Sequence, residues 1–225
     1  MPSLKVVLIC IAYPSLWGEF HGGDDDFRDY FYADYWGIRY PEIKWYDIHI
    51  YSKILQYGNS VAWKIALKGF KVNLTKGYYD NGWAVGGKVS PINDSAGHVL
   101  LLRYKKNFSM NNLEENVGDL KSLLQELDRR KIQAVFFTPP FTQSLRKCME
   151  KSKLKTIDST LSELCTVYHC HRFDFQEDSR FSDSDFNDVS HLNQYGAIKF
   201  SKIINKEILM KYDSLKNNSN ARRAL

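Results

Sequence analysis

The sequence contains few cysteines, and their spacing predicts neither a disulfide framework nor a metal site. There are four, none in a CxxC pair: Cys10, Cys148, Cys165 and Cys170. Cys10 lies in an apolar run and is expected in the core. His169, Cys170 and His171 would alternate between the faces of a strand, so we expect no metal there. Because nothing requires a disulfide, the cysteines fit a reducing compartment.

The chain also lacks a segment of membrane-spanning length and a concentrated basic stripe. Its first apolar run, residues 6–12, is far shorter than the roughly 20 residues of a spanning helix and lacks a clear signal-peptide form. The net charge is +5, but the basic residues are scattered. We therefore expect a cytoplasmic protein with no membrane segment and no nucleic-acid partner.

Strand-like and helix-like patterns alternate along much of the chain. Short apolar runs predict strands over 5–12, 132–138 and 166–173, and residues 99–102 are also strand-like. Helical spacing predicts helices over 47–67, from Asn112 to about 128, and over 143–150, 158–164 and 194–212. This alternation predicts an α/β fold, a single-domain α/β/α sandwich with a mainly parallel central sheet.

Aromatic residues and aspartates are interleaved over residues 17–47. The segment is either an irregular loop packing rings on the core or a cleft wall that stacks on sugar rings. Under the second interpretation Trp17, Tyr35 and Trp36 are candidate substrate-binding residues. The Gly-rich segment 69–97 is predicted to be a loop forming a second wall, with Trp83 and His98 as candidates. For His98, a surface or capping role is the alternative.

Near the end of the chain, Asp188 precedes His191 by three residues, ahead of the last predicted helix. One short loop can therefore hold an acid and a base, the carboxylate fixing the imidazole tautomer. A loop that only caps the helix is the alternative. Ser15 follows the first strand, which Pro14 ends. Ligands and catalytic groups collect at the carboxyl edge of such sheets, so these three residues can form a Ser–His–Asp triad there.

The chain order Ser15, Asp188, His191, with a DxxH motif before the last predicted helix, resembles the SGNH/GDSL hydrolase superfamily. The chain is further similar to a bacterial subgroup linked with capsule and other surface polysaccharides, best over its last hundred or so residues. The similar runs are 12–15, 115–116, 138–140 and 173–197. The resemblance implies an SGNH or flavodoxin-like fold, catalysis by Ser15, Asp188 and His191, and a carbohydrate substrate that is commonly O-acetylated. The chain length predicts one domain over 1–212, and the polar composition predicts a tail at 213–225. The segment 17–110 matches the family poorly and is predicted to be a divergent insertion.

The chain departs from the family pattern in its first motif and its oxyanion donors. Tyr13 and Pro14 stand where the family has Gly and Asp, and no GxND motif is present. Gly58 and Asn59 are the best oxyanion candidates and Asn107 a weaker one. A kink or close helix contact would equally explain Gly58.

These observations lead to a serine esterase or O-acyltransferase acting on a carbohydrate. Hydrolysis needs no cofactor, whereas transfer would use acetyl-CoA as donor. The chain has no evident glycine loop for phosphate, which favours the esterase. Two alternatives stay open: a non-catalytic glycan-binding or polysaccharide-assembly protein on the same scaffold, and a lipase or thioesterase of the same fold.

Overall fold

A computed structural model describes residues 4–18, 30, 32–33, 37, 43–51, 67, 89–106 and 108–212. The chain forms two compact units. One combines Met1–Gly18 with Val85–Leu225, and the other is Glu19–Ala84. Where the sequence predicted one domain with an insertion at 17–110, both unit boundaries fall inside that insertion. The predicted tail at 213–225 lies outside the described residues.

The first unit contains a parallel sheet of three described strands. These are β1 (Val6–Cys10), β2 (Gln133–Thr138) and β3 (His171–Asp174), in the order β1-β2-β3. Val6 pairs with Gln133, and Val135 pairs with His171. The central strand is nearly continuous in apolar residues because neighbours cover both of its faces. The predicted α/β class with a parallel sheet is confirmed.

The helices of this unit supply two apolar clusters on opposite faces of β2. The helices are α1 (Asp94–Lys106), α2 (Met110–Arg129), α3 (Gln143–Cys148), α4 (Lys151–Val167) and α5 (Gln194–Glu207). Phe136 packs in the cluster containing Leu124 and Leu161, whereas Val135 packs in the cluster containing Phe200. Consecutive strand residues point to opposite faces, which assigns α2 and α4 to one side and α5 to the other. Short 3₁₀ helices cover Ile48–Ile50, Asp183–Asp185 and Leu209–Lys211.

The segment around His98 is a helix rather than the loop and strand predicted. Helix α1 begins at Asp94, inside the predicted loop, and includes residues 99–102. Its buried residues are Gly97 and Leu101, four apart, which is a helical period that the short apolar run concealed. A Cβ at Gly97 would lie 2.8 Å from the Ser144 carbonyl oxygen, so glycine permits the close packing of α1 on α3.

Three other local predictions also differ from the structure. Helix α2 begins at Met110, because the Ser109 hydroxyl, not Asn112, accepts the capping hydrogen bond. Strand β3 begins at His171, since residues 166–167 still belong to α4. Cys10 is exposed rather than in the core. Of the helix predicted over 47–67, the described part shows a 3₁₀ turn at Ile48–Ile50, and residues 52–66 lie outside the described residues.

Candidate functional site

The structure brings Asp188 and His191 into direct contact. The two carboxylate oxygens of Asp188 lie 2.9 Å and 3.0 Å from His191 Nδ1. The same carboxylate accepts hydrogen bonds from the backbone N–H of Ser190 at 2.8 Å and of His191 at 2.9 Å. With Nδ1 held by the carboxylate, Nε2 is the ring nitrogen left for a reacting group.

The Asp188 carboxyl remains ionised to a lower pH than an ordinary aspartate. Partial burial by itself would raise its pKa, but three hydrogen bonds oppose this effect, from the Ser190 N–H, the His191 ring and the His191 N–H. Together they place the pKa of Asp188 below its usual range. An ionised carboxylate at this position orients the imidazole and stabilises an imidazolium.

The loop that carries this pair is held in place by hydrogen bonds that involve neither Asp188 nor His191. Asn193 caps α5, its side-chain oxygen accepting from the Gly196 N–H at 2.9 Å. The buried hydroxyl of Thr142, at the start of α3, donates to the Val189 carbonyl oxygen at 2.8 Å. Because Asn193 supplies the cap, the helix does not need Asp188 or His191 as capping residues.

The pair borders an open groove of about 450 Å³ between this loop and α1. The His191 side chain is 75% exposed. The polar residues that line the opposite side of the groove are Ser90, Asn93, Ser95 and Arg103. The Ser90 N–H donates to the Asn187 carbonyl oxygen at 2.8 Å, which joins this side to the loop that carries Asp188 and His191.

The groove residues on α1 were not predicted from the sequence. Ser95, Val99 and Arg103 recur every four residues, so they share one face of a helix. Assigning residues 99–102 to a strand hid this spacing. The groove is large enough to accept a small organic ligand and offers hydroxyl, amide and guanidinium groups to it.

Ser15 is exposed on the turn after β1 but lies in a different hollow from His191. Its Oγ accepts a hydrogen bond from the Ala12 N–H at 2.9 Å. Asn116 and Asp119 of α2 line the same hollow. Within the described residues, no hydrogen bond joins Ser15 to His191. A serine hydroxyl that accepts one hydrogen bond still keeps its own proton to donate.

Trp17 is buried in the core, which differs from the sugar-facing position predicted. Its side chain is 5% exposed, and its ring centroid lies 6.5 Å from that of Phe108. The Lys153 ammonium lies 3.9 Å from the Trp17 ring centroid. Phe108 also stacks on Tyr104, whose hydroxyl interacts with Ser190. These rings form a packed connection between the Ser15 turn and the loop that carries Asp188 and His191.

His98 is exposed on α1 and does not line the groove. The groove-lining residues of α1 lie on another face of that helix, so the structure does not bring His98 to Asp188 and His191. The remaining predicted site residues lie outside the described residues: Tyr35, Trp36, Gly58, Asn59, Trp83 and Asn107.

In the second unit, Asp47 contacts both an imidazole and a phenol. It accepts from the Tyr30 hydroxyl at 2.6 Å, and its Oδ1 lies 2.7 Å from His49 Nδ1. Asp47 also caps the 3₁₀ helix through the His49 N–H, so a structural role explains this contact. Nearby, Trp45 is 77% exposed and Tyr46 is also exposed. The described part of the aromatic segment thus carries solvent-facing rings.

No group of three or more potential metal ligands is present among the described residues. No helix in the described part of the chain is long and apolar enough to cross a membrane. Comparison of the sequence and structure with protein-family models, curated proteins and solved structures finds no match.

Proposed function

We propose that this protein is an SGNH-type serine esterase or O-acyltransferase that acts on an O-acylated carbohydrate of a bacterial surface or capsule. The observation that carries the proposal is the contact between Asp188 and His191 beside an open groove. An ionised carboxylate on Nδ1 prepares the opposite ring nitrogen to act as a general base. The resemblance of the surrounding motif to SGNH hydrolases supports this choice of chemistry.

In the proposed reaction, Ser15 Oγ attacks the acyl carbonyl carbon while His191 Nε2 takes the hydroxyl proton. The carbon–oxygen bond to the sugar then breaks, and His191 returns the proton to the departing sugar oxygen. This leaves an acyl group on Ser15. Reaction requires Ser15 and His191 to approach each other, and catalytic hydrogen bonds often tighten only when substrate binds.

The same residues serve both outcomes of the second half-reaction. Attack by water releases the free acid, whereas attack by a sugar hydroxyl transfers the acyl group. In the transfer reaction, acetyl-CoA would be the donor that first acylates Ser15. Exclusion of water from the groove at the acyl-enzyme stage decides between the two.

A fluorophosphonate probe followed by peptide mass spectrometry tests the nucleophile. We expect an adduct on Ser15 that disappears in Ser15→Ala and His191→Ala. Matched controls are Ser90→Ala and Ser95→Ala, because these serines line the His191 groove. Their variants should retain the Ser15 adduct. An adduct on Ser90 or Ser95 would keep the esterase chemistry but contradict Ser15, and no adduct on folded protein would contradict both.

A non-catalytic glycan-binding or assembly protein is the second candidate. The observation that favours it is the placement of Ser15 in a hollow separate from His191, with its hydroxyl engaged by Ala12. Under this proposal, Ser15→Ala would bind acetylated polysaccharide as tightly as the wild type. Trp45→Ala, which removes an exposed ring, would bind more weakly. Calorimetric titration of both variants tests the binding, and release of acetate by the wild type, which only the esterase predicts, distinguishes the two functions.

A further inference from the structure

Two cysteine sulfur atoms lie in direct contact outside the proposed active site. Cys165 Sγ and Cys170 Sγ are 2.7 Å apart, and all four cysteines of the chain are thiols. An S–S bond measures about 2.05 Å, so only a small approach separates the two sulfurs from bonding distance. Neither thiol has a part in the proposed hydrolase reaction.

The local fold holds these two residues together. Cys165 lies in the last turn of α4, and Cys170 immediately precedes β3. Between them, His169 has a φ of +52°, a left-handed conformation that reverses the chain sharply. The Gln133 side-chain amide donates to the His169 carbonyl oxygen at 3.1 Å, which fastens the connection to β2. The short distance between the sulfurs is therefore built into the turn from α4 to β3.

The two thiols differ in their access to solvent. Cys170 is 2% exposed, whereas Cys165 is partly exposed. The hydrogen bond to Cys165 and burial both raise the pKa of the Cys170 thiol, so Cys170 stays protonated and donates to its neighbour. An external reagent can thus reach Cys165 first, and Cys170 is placed to react with it second.

We propose that Cys165 and Cys170 form a redox modification site that reacts with low-molecular-weight disulfides by thiol–disulfide exchange. The Cys165 thiolate attacks one sulfur of the external disulfide, forms a mixed disulfide and releases one thiolate. Cys170 then loses its proton and attacks Cys165 Sγ, closing the intrachain bond and releasing a second thiolate. The protein dithiol loses two electrons and two protons, and the external disulfide is reduced to two thiols.

This site lies away from the proposed catalytic groove. Cys170 is at the amino end of β3, whereas the proposed site lies beyond the carboxyl ends of the strands. The proposal therefore does not depend on the proposed hydrolase function, and its test requires no activity assay.

The test treats the folded, full-length protein with oxidised glutathione and then alkylates the remaining thiols. Trypsin leaves both cysteines on one peptide, residues 156–172, because no Lys or Arg lies between Lys155 and Arg172. We expect this peptide to be unalkylated and lighter by two hydrogens than the reduced peptide. Recovery of the doubly alkylated peptide, under conditions that attach glutathione to the exposed Cys10, would overturn the proposal.

Single substitutions test the order of the two steps. Cys170→Ser should trap a stable glutathione adduct on Cys165, because the resolving thiol is missing. Cys165→Ser should leave the buried Cys170 largely unmodified. Equal amounts of glutathione adduct on the two variants would overturn the proposed order, in which Cys165 reacts first and Cys170 second. The wild-type measurement remains decisive if either variant folds poorly.

Discussion

The side-chain amide of Asn116 donates to the carbonyl oxygen of Gly18 at 3.0 Å. The same nitrogen lies 3.2 Å from the carbonyl oxygen of Leu16. Helix α2 thus contacts two carbonyl groups of the turn that follows Ser15, although Asn116 lies about a hundred residues from that turn in the sequence. The segment including Glu115 and Asn116 carries part of the SGNH resemblance, and this contact supplies a physical role for it.

Replacing Asn116 by Leu should loosen the Ser15 turn. Two backbone carbonyl groups lose their partner, so we expect about 1–2 kcal/mol of destabilisation and slower fluorophosphonate labelling of Ser15. Urea unfolding and labelling time courses provide the measurements. Glu115→Gln, at an exposed neighbouring position, is the matched control and should change neither value appreciably. Unchanged labelling in the Leu variant would show that the turn does not depend on Asn116.

Thr142 links the start of α3 to the loop that carries Asp188 and His191. Its buried hydroxyl donates to the Val189 carbonyl and accepts from the Leu145 N–H. Thr142→Val keeps the shape but removes both hydrogen bonds, so we expect a loss of about 2 kcal/mol in the free energy of unfolding. Thr142→Ser should retain most of the stability. Chemical denaturation of the pair measures the difference, and equal stability of the two variants would refute the role of the hydroxyl.

Asp185 should contribute to stability in a pH-dependent way. Burial tends to raise its pKa, but the Ser182 N–H and the Lys199 ammonium, 2.9 Å away, lower it below the usual range. Because the folded pKa lies below the unfolded value, the stabilisation is complete above about pH 4. It is lost as the pH falls through the folded value.

Asp185→Asn should therefore reduce the acid sensitivity of folding. We expect the urea midpoint of the wild type to fall more than that of the variant between about pH 7 and about pH 3. Asp183→Asn, in the same 3₁₀ helix but exposed, serves as the control. If the urea midpoints of the wild type and Asp185→Asn fell by the same amount over this pH range, the prediction would be contradicted.

Gly196 permits the close approach of α5 to the segment before the loop that carries Asp188 and His191. A Cβ at this position would lie 2.1 Å from the Asp185 carbonyl oxygen. Gly196→Ala should therefore cost about 3 kcal/mol or more, since backbone must move. Gly118→Ala is the opposite case, because a Cβ there meets nothing within 4 Å in a helix interior. It should stabilise the protein by about 0.5–1 kcal/mol. Thermal denaturation measures the stability of the two variants. A Gly196→Ala variant more stable than Gly118→Ala would be incompatible with this packing.

One short-range contact of the candidate site was predictable from the sequence. The contact between Asp188 and His191 follows from their spacing, because one turn of chain brings positions three apart together. In contrast, the α1 contribution to the groove was missed, since a short apolar run does not distinguish a strand from a helix. The start of α2 was also misplaced, because Ser109 and Asn112 are both competent caps and only the folded backbone selects one.

The α/β class, the parallel strands and the Asp188–His191 pair could be predicted from the amino-acid sequence, because they depend on hydrophobic period and short-range spacing. Which groups face that pair, and which do not, became clear from the packing of the folded chain. This packing places Ser15 in a separate hollow beside Asn116, buries Trp17, and aligns Ser90, Ser95 and Arg103 along the groove. These placements depend on how helices pack across distant parts of the chain, and such long-range contacts leave no periodic signal in the sequence.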